Sequence, residues 1–527
     1  CLCWWIDADY LGIIESLKKT STLLKVALFA TGLAGIVSEY TISTLATYFL
    51  GDSVFQWTII VSMMLFSMGL GSRLSKKFEE KLLEKFIAIE FLLSVIASNV
   101  TVIVYVCFAF YGNTTFVIYF LSVLIGLLIG MEIPIVIRLN EKFEKLKVNI
   151  SSALENDYYG SLVGGIFFAF VGLPILGLVY TPLILGSINF MVALLLLWAT
   201  WEDLQKRQKT RFLTYIVGVL IILSAAAFLS KDVVNWGDRI RYRDLVVYSE
   251  QSRYQKIVMT YSKGDYWLFL NGNQQLSTLD EALYHEPLVH APMVLSKGAR
   301  SVLVLGGGDG VAVRELLKYP EVSQIVLVDL DPAVTSMAQN HPIMLGINEN
   351  SLNDDRVTVI NQDGFQFLAE TQVRFDVVIA DFPDPRTVDL GRLYSREFYG
   401  LVHQVLNEKG MMITQAGSPY YARQAFDCID LTIQSAGFNT LKLHNQVLSL
   451  GEWGWVMGSK QERDLKKELQ SASLGTLPTQ WLTDATLTRI SSFGSEVFEA
   501  DYTSIAINRL HDPVLYHYYL DGRWDLY

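Results

Sequence analysis

Hydrophobic residues are distributed unevenly along the chain. Before about residue 230 they form long, nearly uninterrupted stretches, and after it they form short runs separated by glycine, aspartate and proline. A helix of about 20 apolar residues can cross the roughly 30 Å hydrocarbon core of a bilayer. The pattern therefore predicts seven membrane spans: Leu23 to Phe49, Val54 to Leu70, Phe86 to Phe110, Phe116 to Ile137, Tyr159 to Tyr180, Pro182 to Trp201 and Phe212 to Leu229.

The loops between these stretches differ sharply in charge. Basic residues follow the second, fourth and sixth stretches, whereas the other loops contain no lysine or arginine. The positive-inside rule assigns the basic loops and the N-terminus to the cytoplasm, and seven spans would then deliver the rest of the chain outside. Lys231 and three arginines follow the last stretch directly, however, and such a basic flank is itself typical of the cytoplasmic side. We therefore expect this stretch to be re-entrant or interfacial, which leaves the second half of this inner-membrane protein in the cytoplasm.

Two features of the apolar half carry no clear chemistry. Residues 1–21 mix aromatic and charged side chains, which predicts an interfacial helix or a disordered end. Four acids lie within or beside the predicted spans, where an unpaired charge is costly. The simpler interpretation is that these acids pair with polar neighbours, and the alternative is that they line a transport path. They are Glu39, Glu90, Glu132 and Asp157.

In the second half of the chain, short apolar runs separated by polar and glycine residues predict two β-sheets. "RDLVVYSE", "YQKIVMTY" and "DYWLFLNG" are short, aromatic and β-branched, which favours a small antiparallel sheet. "SVLVLG", a helix from Val311 to Leu317, "QIVLVD", "FDVVIA" and "GMMITQ" follow as strand and helix signals of a doubly wound, Rossmann-like parallel sheet. The predicted domains are an interfacial segment (1–21), an α-helical transmembrane bundle (22–230), the small sheet (231–292) and the Rossmann-like catalytic domain with a C-terminal extension (293–527).

Composition narrows the ligand class. The chain has 527 residues, a net charge of −11 and a mean hydropathy of +0.31. No basic patch stands out in the second half, so a nucleic-acid partner is not expected and a cationic small molecule suits the charge better. The four cysteines show neither metal-binding spacing nor a disulfide framework. We expect no metal and no cofactor.

The turn in "VLVLGGGDGV" predicts a nucleoside site of unusual charge. Gly306 and Gly308 let the backbone approach a ligand closely, but Val311 stands where the dinucleotide pattern requires its third glycine. Asp309 would repel a phosphate and attract a sulfonium or an ammonium group. The turn therefore predicts a positively charged nucleoside.

Further acids fall at predicted strand ends, where open α/β sheets bind ligands. Asp329 lies about twenty residues beyond the turn and suits the ribose hydroxyls, while Asp363 suits the exocyclic amine of adenine. Asp381 and Asp384, in "DFPDP", face the same predicted cleft. A turn or helix-cap role is the simpler explanation for any single aspartate, but their joint placement at the sheet edge favours a binding site.

Several motifs occur together in an order that resembles the polyamine aminopropyltransferases, of which spermidine synthase is the type. They are "SRYQKI", "LFLNGNQQLSTLDEALYHEPLVH", "VLVLGGGDG", "VDLD", "QDGFQFL", "DFPDP" and "INRLHDPVLYHYYL". The likeness covers about Arg243 to Tyr527, and the preceding half looks like the membrane domain that is fused to some bacterial members. It implies a homodimer.

The resemblance also implies a role for individual residues. Gln255 and Asp309 would hold decarboxylated S-adenosylmethionine, with Asp329 on its ribose and Asp363 on its adenine. Asp381 would be the catalytic acid/base. The acceptor amine would meet the donor between the remaining residues, which are Tyr284, His285 and Asp384.

Chemistry agrees with the role of Asp381, because an alkylamine with a pKa of about 10 is protonated near pH 7 and needs a group that takes its proton. Two departures from the family concern the acceptor. Phe382 and Pro383 stand where small polar residues are usual, and "NQVLSLGEWG" lacks the family's acceptor-side tyrosine. We therefore expect putrescine not to be the best acceptor.

Two other functions fit parts of the sequence. A methyltransferase shares the nucleotide fold, but its donor carries an α-carboxylate that Asp309 would oppose. A polyamine transporter or sensor with a nucleoside-binding regulatory domain would use the acids of the membrane half, although the apparently complete catalytic set argues against it.

Overall fold

A computed structural model describes residues 8–51, 53–494 and 502–524. The chain divides into two compact units, which we describe separately. The first comprises Cys1–Tyr261 with Leu270–Gly272, and the second comprises Ser262–Phe269 with Asn273–Tyr527. Of the predicted interfacial segment, residues 1–7 lie outside the described residues. From Ala8 its backbone belongs to the first long helix.

The first unit is a bundle of long helices. Within the described residues, six helical segments are long and apolar enough to cross a membrane. The helices are α1 (Ala8–Leu50), α2 (Ser53–Ser75), α3 (Leu82–Tyr111), α4 (Thr115–Asn140), α5 (Leu146–Phe167), α6 (Gly177–Thr200) and α7 (Lys206–Tyr242). A π-helical stretch, Phe168–Leu176, joins α5 to α6, so the fifth and sixth predicted spans lie in one continuous segment of 55 residues.

The contacts between helices give their relative directions. Helices α1 and α5 run in the same direction, because a β-carbon on Gly160 would meet the carbonyl of Phe29, and Gly165 lies beside Tyr40. Helices α3 and α6 run in opposite directions, since Ser94 donates to the carbonyl of Gly186 and Thr101 to that of Leu178, both at 2.6 Å.

The directions of α1, α3, α5 and α6 together show that the 55-residue segment reverses between α5 and α6. Gly177, with φ 64°, marks the point where α6 begins. A rise of about 1.5 Å per residue makes the segment roughly 80 Å long, enough for two crossings of a bilayer. The aromatic rings of Phe49 and Tyr105 meet at the C-terminal ends of α1 and α3, which shows that these two helices share a direction. Helix α5 is therefore antiparallel to α6, and successive helices of the bundle alternate in direction.

The expectation that the last apolar stretch is re-entrant is wrong, whereas its interfacial alternative stays a prediction. It belongs to α7, an unbroken helix of 37 residues. Arg211, near the start of α7, donates to Glu84 at the start of α3, and a β-carbon on Gly237 would lie 2.6 Å from the ring of Tyr105 near the end of α3. Helix α7 accompanies α3 from one end to the other and carries the chain to the end of the bundle opposite the basic loops.

Four strands follow α7, whose end at Tyr242 lies twelve residues beyond the predicted boundary at residue 230. They form the antiparallel sheet predicted from the sequence, in the order β1-β2-β3-β4. The strands are β1 (Leu245–Gln251), β2 (Lys256–Ser262), β3 (Asp265–Leu270) and β4 (Asn273–Ser277). The aromatic and β-branched runs predicted the first three, while β4, "NQQLS", lacks that signal.

A seven-stranded mixed sheet forms the centre of the second unit, in the order β10-β11-β9-β8-β5-β6-β7. The five strands from β9 to β7 are parallel, as predicted, and the two at the other edge are antiparallel. The strands are β5 (Ser301–Gly306), β6 (Gln324–Asp329), β7 (Val357–Asn361), β8 (Phe375–Asp381), β9 (Leu406–Gly417), β10 (Asn439–Val447) and β11 (Gly451–Ser459).

Helices cover the sheet, and the central strands are buried apolar runs because both faces are packed. Helix α9 has the predicted bounds. The helices are α8 (Ala282–Leu295), α9 (Val311–Leu317), α10 (Pro332–Asn340), α11 (Pro342–Ile347), α12 (Gly364–Glu370), α13 (Val388–Gly391), α14 (Arg396–Val405), α15 (Arg423–Ser435), α16 (Leu465–Gln470), α17 (Asp484–Ile490) and α18 (Leu515–Leu520).

The strand order contains one switch point. From β5 the chain builds outward through β6 and β7, then returns to place β8 on the other side of β5. Gly306, the last residue of β5, pairs there with Asp381, the last residue of β8. Ligands of doubly wound sheets bind at such a point, outside the carboxyl ends of the strands.

The close pairing at the switch point gives a stability prediction. Gly306 has φ 76°, and a β-carbon on it would lie 2.1 Å from the carbonyl oxygen of Asp381. Gly306→Ala should therefore lower the free energy of unfolding by more than about 2 kcal/mol, measured by thermal or denaturant unfolding in detergent. Gly400→Ala is the matched control: it lies within α14 with no atom near the added carbon and should stabilise by roughly 0.5–1 kcal/mol. Equal stabilities of the two variants would contradict this account.

Candidate active site

The glycine turn after β5 brings two of the predicted aspartates to one place. The amide of Gly307 donates to the carbonyl of Asp381 at 3.0 Å. The amide of Gly308 donates to Asp329 Oδ2 at 3.2 Å, and a β-carbon on Gly308 would lie 2.6 Å from that oxygen. The turn therefore requires glycine at positions 307 and 308. Its backbone hydrogen bonds fix the spacing between the ends of β5, β6 and β8.

Asp309 and Asp329 also stabilise local backbone. Asp309 Oδ1 accepts from the amide of Val311 at 2.8 Å, at the start of α9, and Asp329 Oδ1 accepts from Asp331 at 2.9 Å. Burial raises the pKa of Asp329 to about 6. Both aspartates therefore stabilise a turn of the backbone, as the simpler explanation predicted. Their position beside the turn remains compatible with the predicted contacts to a nucleoside.

Asp381 has a different environment from these two. Its Oδ1 accepts a 2.7 Å hydrogen bond from the hydroxyl of Tyr284, and a β-carbon on Gly307 would lie 3.1 Å from its Oδ2. Burial is the main reason that the pKa of Asp381 rises to about 6; nearby Asp309 raises it further, while His285 lowers it. Burial and the charge of Asp381 raise the pKa of Tyr284 well above its usual value. Asp381 is therefore ionised at neutral pH and held by a neutral donor.

His285 supplies positive charge beside Asp381. Its Nδ1 lies 3.0 Å from the carbonyl of Glu281 and 3.3 Å from the carboxylate of that residue. Although burial lowers the pKa of His285, the hydrogen bond to Glu281 and the charge of Asp309 outweigh it and raise the pKa to about 9. Arg314 donates twice to the Glu281 carboxylate, at 2.8 and 3.0 Å. Glu281 is thus shared by two cations and holds the imidazole in place.

A buried polar cluster anchors α8, the helix that carries Tyr284 and His285. Glu286 accepts from the three consecutive backbone amides of residues 480–482, at 2.5, 2.9 and 2.6 Å. His290 lies 2.9 Å from both Tyr319 and Glu315. Glu286, His290 and Glu315 could be arranged around a metal ion. Each already has protein partners, which assigns the cluster a structural role.

Asp384 belongs to a network that the sequence did not predict. Its Oδ2 accepts from the hydroxyl of Tyr519 at 2.6 Å and from Arg386 at 3.0 Å. Gln415 Nε2 lies 3.5 Å from Asp384 Oδ1 and 2.5 Å from the hydroxyl of Tyr394. The only sequence signals were that Arg386 follows "DFPDP" directly and that Tyr519 lies in the closing "YHYYL".

The structure changes the interpretation of one of the two departures from the family, the one that concerns Phe382. Phe382 does not form that wall, because its ring is buried in the core, with centroids 6.1 Å from Tyr394 and 5.6 Å from Phe398. "NQVLSLGEWG" forms the end of β10, a turn and the start of β11. A tyrosine hydroxyl nevertheless reaches the acidic pair, supplied by Tyr519 of α18.

Asp363 and Gln255, the other two side chains predicted to bind the donor, also contact neighbouring parts of the chain. Asp363 caps α12 by accepting from the amide of Phe365 at 2.8 Å, and it pairs with Arg392. Gln255 lies between β1 and β2 in the first unit, where its carbonyl accepts from the amide of Ser252 at 2.9 Å. The adenine contact of Asp363 and the donor contact of Gln255 stay predictions.

Two of the cavities in the described part of the chain differ greatly in volume. One of about 10 Å³, enough for a single water, is lined in part by Tyr284 and His285. The other, of about 370 Å³, belongs to the helical unit and is lined by aromatic and polar residues, among them Phe49, Phe108 and Tyr119. None of the predicted site residues lines the larger cavity, so volume alone does not locate the chemistry.

Comparison with known proteins finds the same family that the sequence motifs resemble. The family model described as "Spermine/spermidine synthase domain" matches residues 281–470. Polyamine aminopropyltransferase 2 of Aquifex aeolicus is 40% identical over 95% of this chain and 99% of its own, and the polyamine aminopropyltransferase of Oceanobacillus iheyensis is 38% identical over 94% and 96%.

Among solved structures, a spermidine synthase in complex with the transition state analogue AdoDATO aligns with a TM-score of 0.44 and 25% identity, over 47% of this chain and 86% of that one. The matches to the curated enzymes extend through the helical unit as well as the site. The chain is thus a member of the polyamine aminopropyltransferase family and an enzyme.

Proposed function

We propose that the protein transfers the aminopropyl group of decarboxylated S-adenosylmethionine to an amine and releases methylthioadenosine. The observation that carries the proposal is the Asp381–Tyr284 hydrogen bond at the carboxyl edge of β8, directly beside the glycine turn. A base at this point meets any ligand held by the turn. No metal or prosthetic group enters the mechanism.

The charge of the site suits this donor. Decarboxylated S-adenosylmethionine carries a sulfonium and an ammonium group and no carboxylate. Asp309 and Asp329 lie on or beside the turn and would attract both positive groups. The turn offers no cationic side chain for a phosphate or an α-carboxylate. Among nucleosides of this type, the site therefore favours the decarboxylated form.

Asp381 would make the acceptor nucleophilic. An alkylamine with a pKa of about 10 reaches the site as an ammonium ion, and the carboxylate can position it and take its proton as the reaction proceeds. The hydroxyl of Tyr284 donates to Oδ1 of Asp381. The other oxygen, Oδ2, faces the glycine turn and would therefore accept the proton of the amine. The amine nitrogen then attacks the methylene beside sulfur. The C–N bond forms, the C–S bond breaks, and its electron pair stays on the sulfur of neutral methylthioadenosine.

The reaction itself is the first test. Purified protein in detergent should form methylthioadenosine and an aminopropylated amine from decarboxylated donor and a panel of amines, detected by mass spectrometry. Intact S-adenosylmethionine should give no product. Methylated amines formed from the intact donor alone would replace the proposal with a methyltransferase.

The role of Asp381 gives a second test. Asp381→Asn keeps the shape but removes the base, so kcat should fall about a hundredfold or more with little change in donor affinity. Asp309→Asn should instead raise the KM for the donor. Asp389→Asn, on the exposed surface of α13, is the control and should leave both constants unchanged. Normal turnover by Asp381→Asn would contradict the assignment.

We propose that the helical unit spans the cell membrane and that the catalytic unit faces the cytoplasm, where its nucleoside donor is made. The alternating helices support a chain that leaves the bundle at the end opposite the basic loops. A cytoplasmic catalytic unit therefore requires basic loops outside, against the usual charge bias. Access to the donor is the stronger requirement, because catalysis cannot proceed without it.

Alkaline phosphatase fusions in a bacterial host test both parts of this arrangement. A fusion at Gln205, between α6 and α7, should be active, and one after Tyr527 should be inactive. Activity only after Tyr527 would keep the seven passes but put the catalytic unit outside. The same result at both positions would contradict the alternation of the helices.

A further inference from the structure

Two glutamates lie inside the helical unit without a counter-charge. Glu90 belongs to α3 and Glu132 to α4, and these residues are 1% and 0% exposed. Both carboxyl oxygens of Glu132 and one of Glu90 are buried with no hydrogen-bond partner among the described residues. The ion pairs found in that part of the unit join other side chains. A buried carboxylate without a partner is costly, so each group needs a cation.

The two glutamates lie close together and close to a third acid. The charge of Glu132 acts on Glu90, and the charge of Asp157, on α5, acts on Glu132. Thr31 of α1 lies beside Glu132, but its hydroxyl donates to the carbonyl of Ala27 at 3.0 Å. Three carboxyl groups from three helices therefore meet, and their mutual repulsion opposes ionisation of all three at once.

The basic side chains of α3 and α4 that are nearest in sequence contact other groups. Arg138 donates to three backbone carbonyls, at 2.8, 2.8 and 3.2 Å, and Lys85 lies over the ring of Phe78 at 4.6 Å. The other helices packed around the pair carry further ionisable groups, which are Glu39 on α1, the exposed Arg73 on α2, Tyr180 on α6 and Tyr215 on α7. A proton is the cation that can neutralise a buried carboxylate without a cavity to hold it.

We infer that Glu90 and Glu132 form a proton-binding site of the helical unit, at which protons are taken up and released. Each carboxylate gains a proton to become a neutral carboxyl group, and on release the proton returns to water. Asp157, which is 8% exposed, is the most exposed of the three acids and would pass the proton between the pair and the surface. The site gives the helical unit a proton-coupled function besides the proposed anchoring in a membrane.

Dicyclohexylcarbodiimide tests the inference, because this apolar reagent reacts with protonated carboxyl groups and spares carboxylates. Purified protein in detergent would be treated at a series of pH values and digested, and the adducts located by mass spectrometry. Adducts should form at Glu90 or Glu132 and fall about tenfold or more between roughly pH 5 and pH 10, as the pair loses a proton. A structural pair that never ionises would be labelled throughout.

Variants test whether the two glutamates act as a pair. Glu132→Gln should move the fall in Glu90 labelling to lower pH, because the like charge beside Glu90 is gone. Glu155→Gln, an exposed glutamate of α5, is the matched control and should leave the labelling unchanged. In wild type, the infrared carbonyl band of protonated carboxyl groups should shrink over the same pH range, and this measurement needs no variant.

Three results would overturn the inference. They are adducts at neither glutamate, labelling and an infrared band that stay constant at every pH, and protection of the pair by Na⁺ at constant pH, which would replace the proton by a sodium ion. Labelling needs neither donor nor acceptor, so these results are independent of the proposed aminopropyl transfer.

Discussion

The site depends on the contact between two backbone segments at the switch point of the sheet. Gly306 and Asp381 are so close that no side chain fits on the first, and the amide of Gly307 binds the carbonyl of the second. The distance between the glycine turn and the Asp381 carboxylate is therefore set by main-chain atoms. Side-chain packing determines how the carboxylate is oriented, through Tyr284, but not where it is.

Two aspartates three residues apart are given different chemistry by their partners. Asp381 is hydrogen-bonded by a neutral tyrosine and partly shielded from solvent, so its pKa rises to about 6 and it remains able to take up a proton. Asp384 is bound by Arg386 and Tyr519, which use its oxygens in a fixed network. The two acids look equivalent in the sequence motif, whereas their environments in the structure differ.

The sequence predicted those elements whose burial or turn geometry leaves a direct pattern of residue types. The central parallel strands are buried on both faces and show as continuous apolar runs, and α9 follows the glycine turn with the predicted bounds. Strand β10, at the edge of the sheet, and its neighbour β11 were missed because their polar and glycine residues dilute that signal. Phe382 was misassigned because successive residues of an extended chain face opposite ways. With Asp381 in the cleft, the next side chain enters the core.

Long-range partners could not be predicted in this way. Tyr519 reaches Asp384 across 135 residues of sequence, and no periodicity relates them. The re-entrant path predicted for α7 was wrong for another reason: the prediction weighed the charge of its flanks, whereas α7 is an unbroken helix that packs along α3. Such pairings depend on which surfaces meet, which a single sequence does not record.

The anchoring of α8 determines how small an independently folding piece of this enzyme can be. The region that matches the family model ends at residue 470, but the amides that satisfy the Glu286 carboxylate come from residues 480–482. Without them a buried negative charge loses its donors, which typically costs several kcal/mol. A fragment cut at the family boundary would also lack Tyr519. The region that matches the family model is therefore not autonomous, because α8 is held in place by residues that lie beyond it.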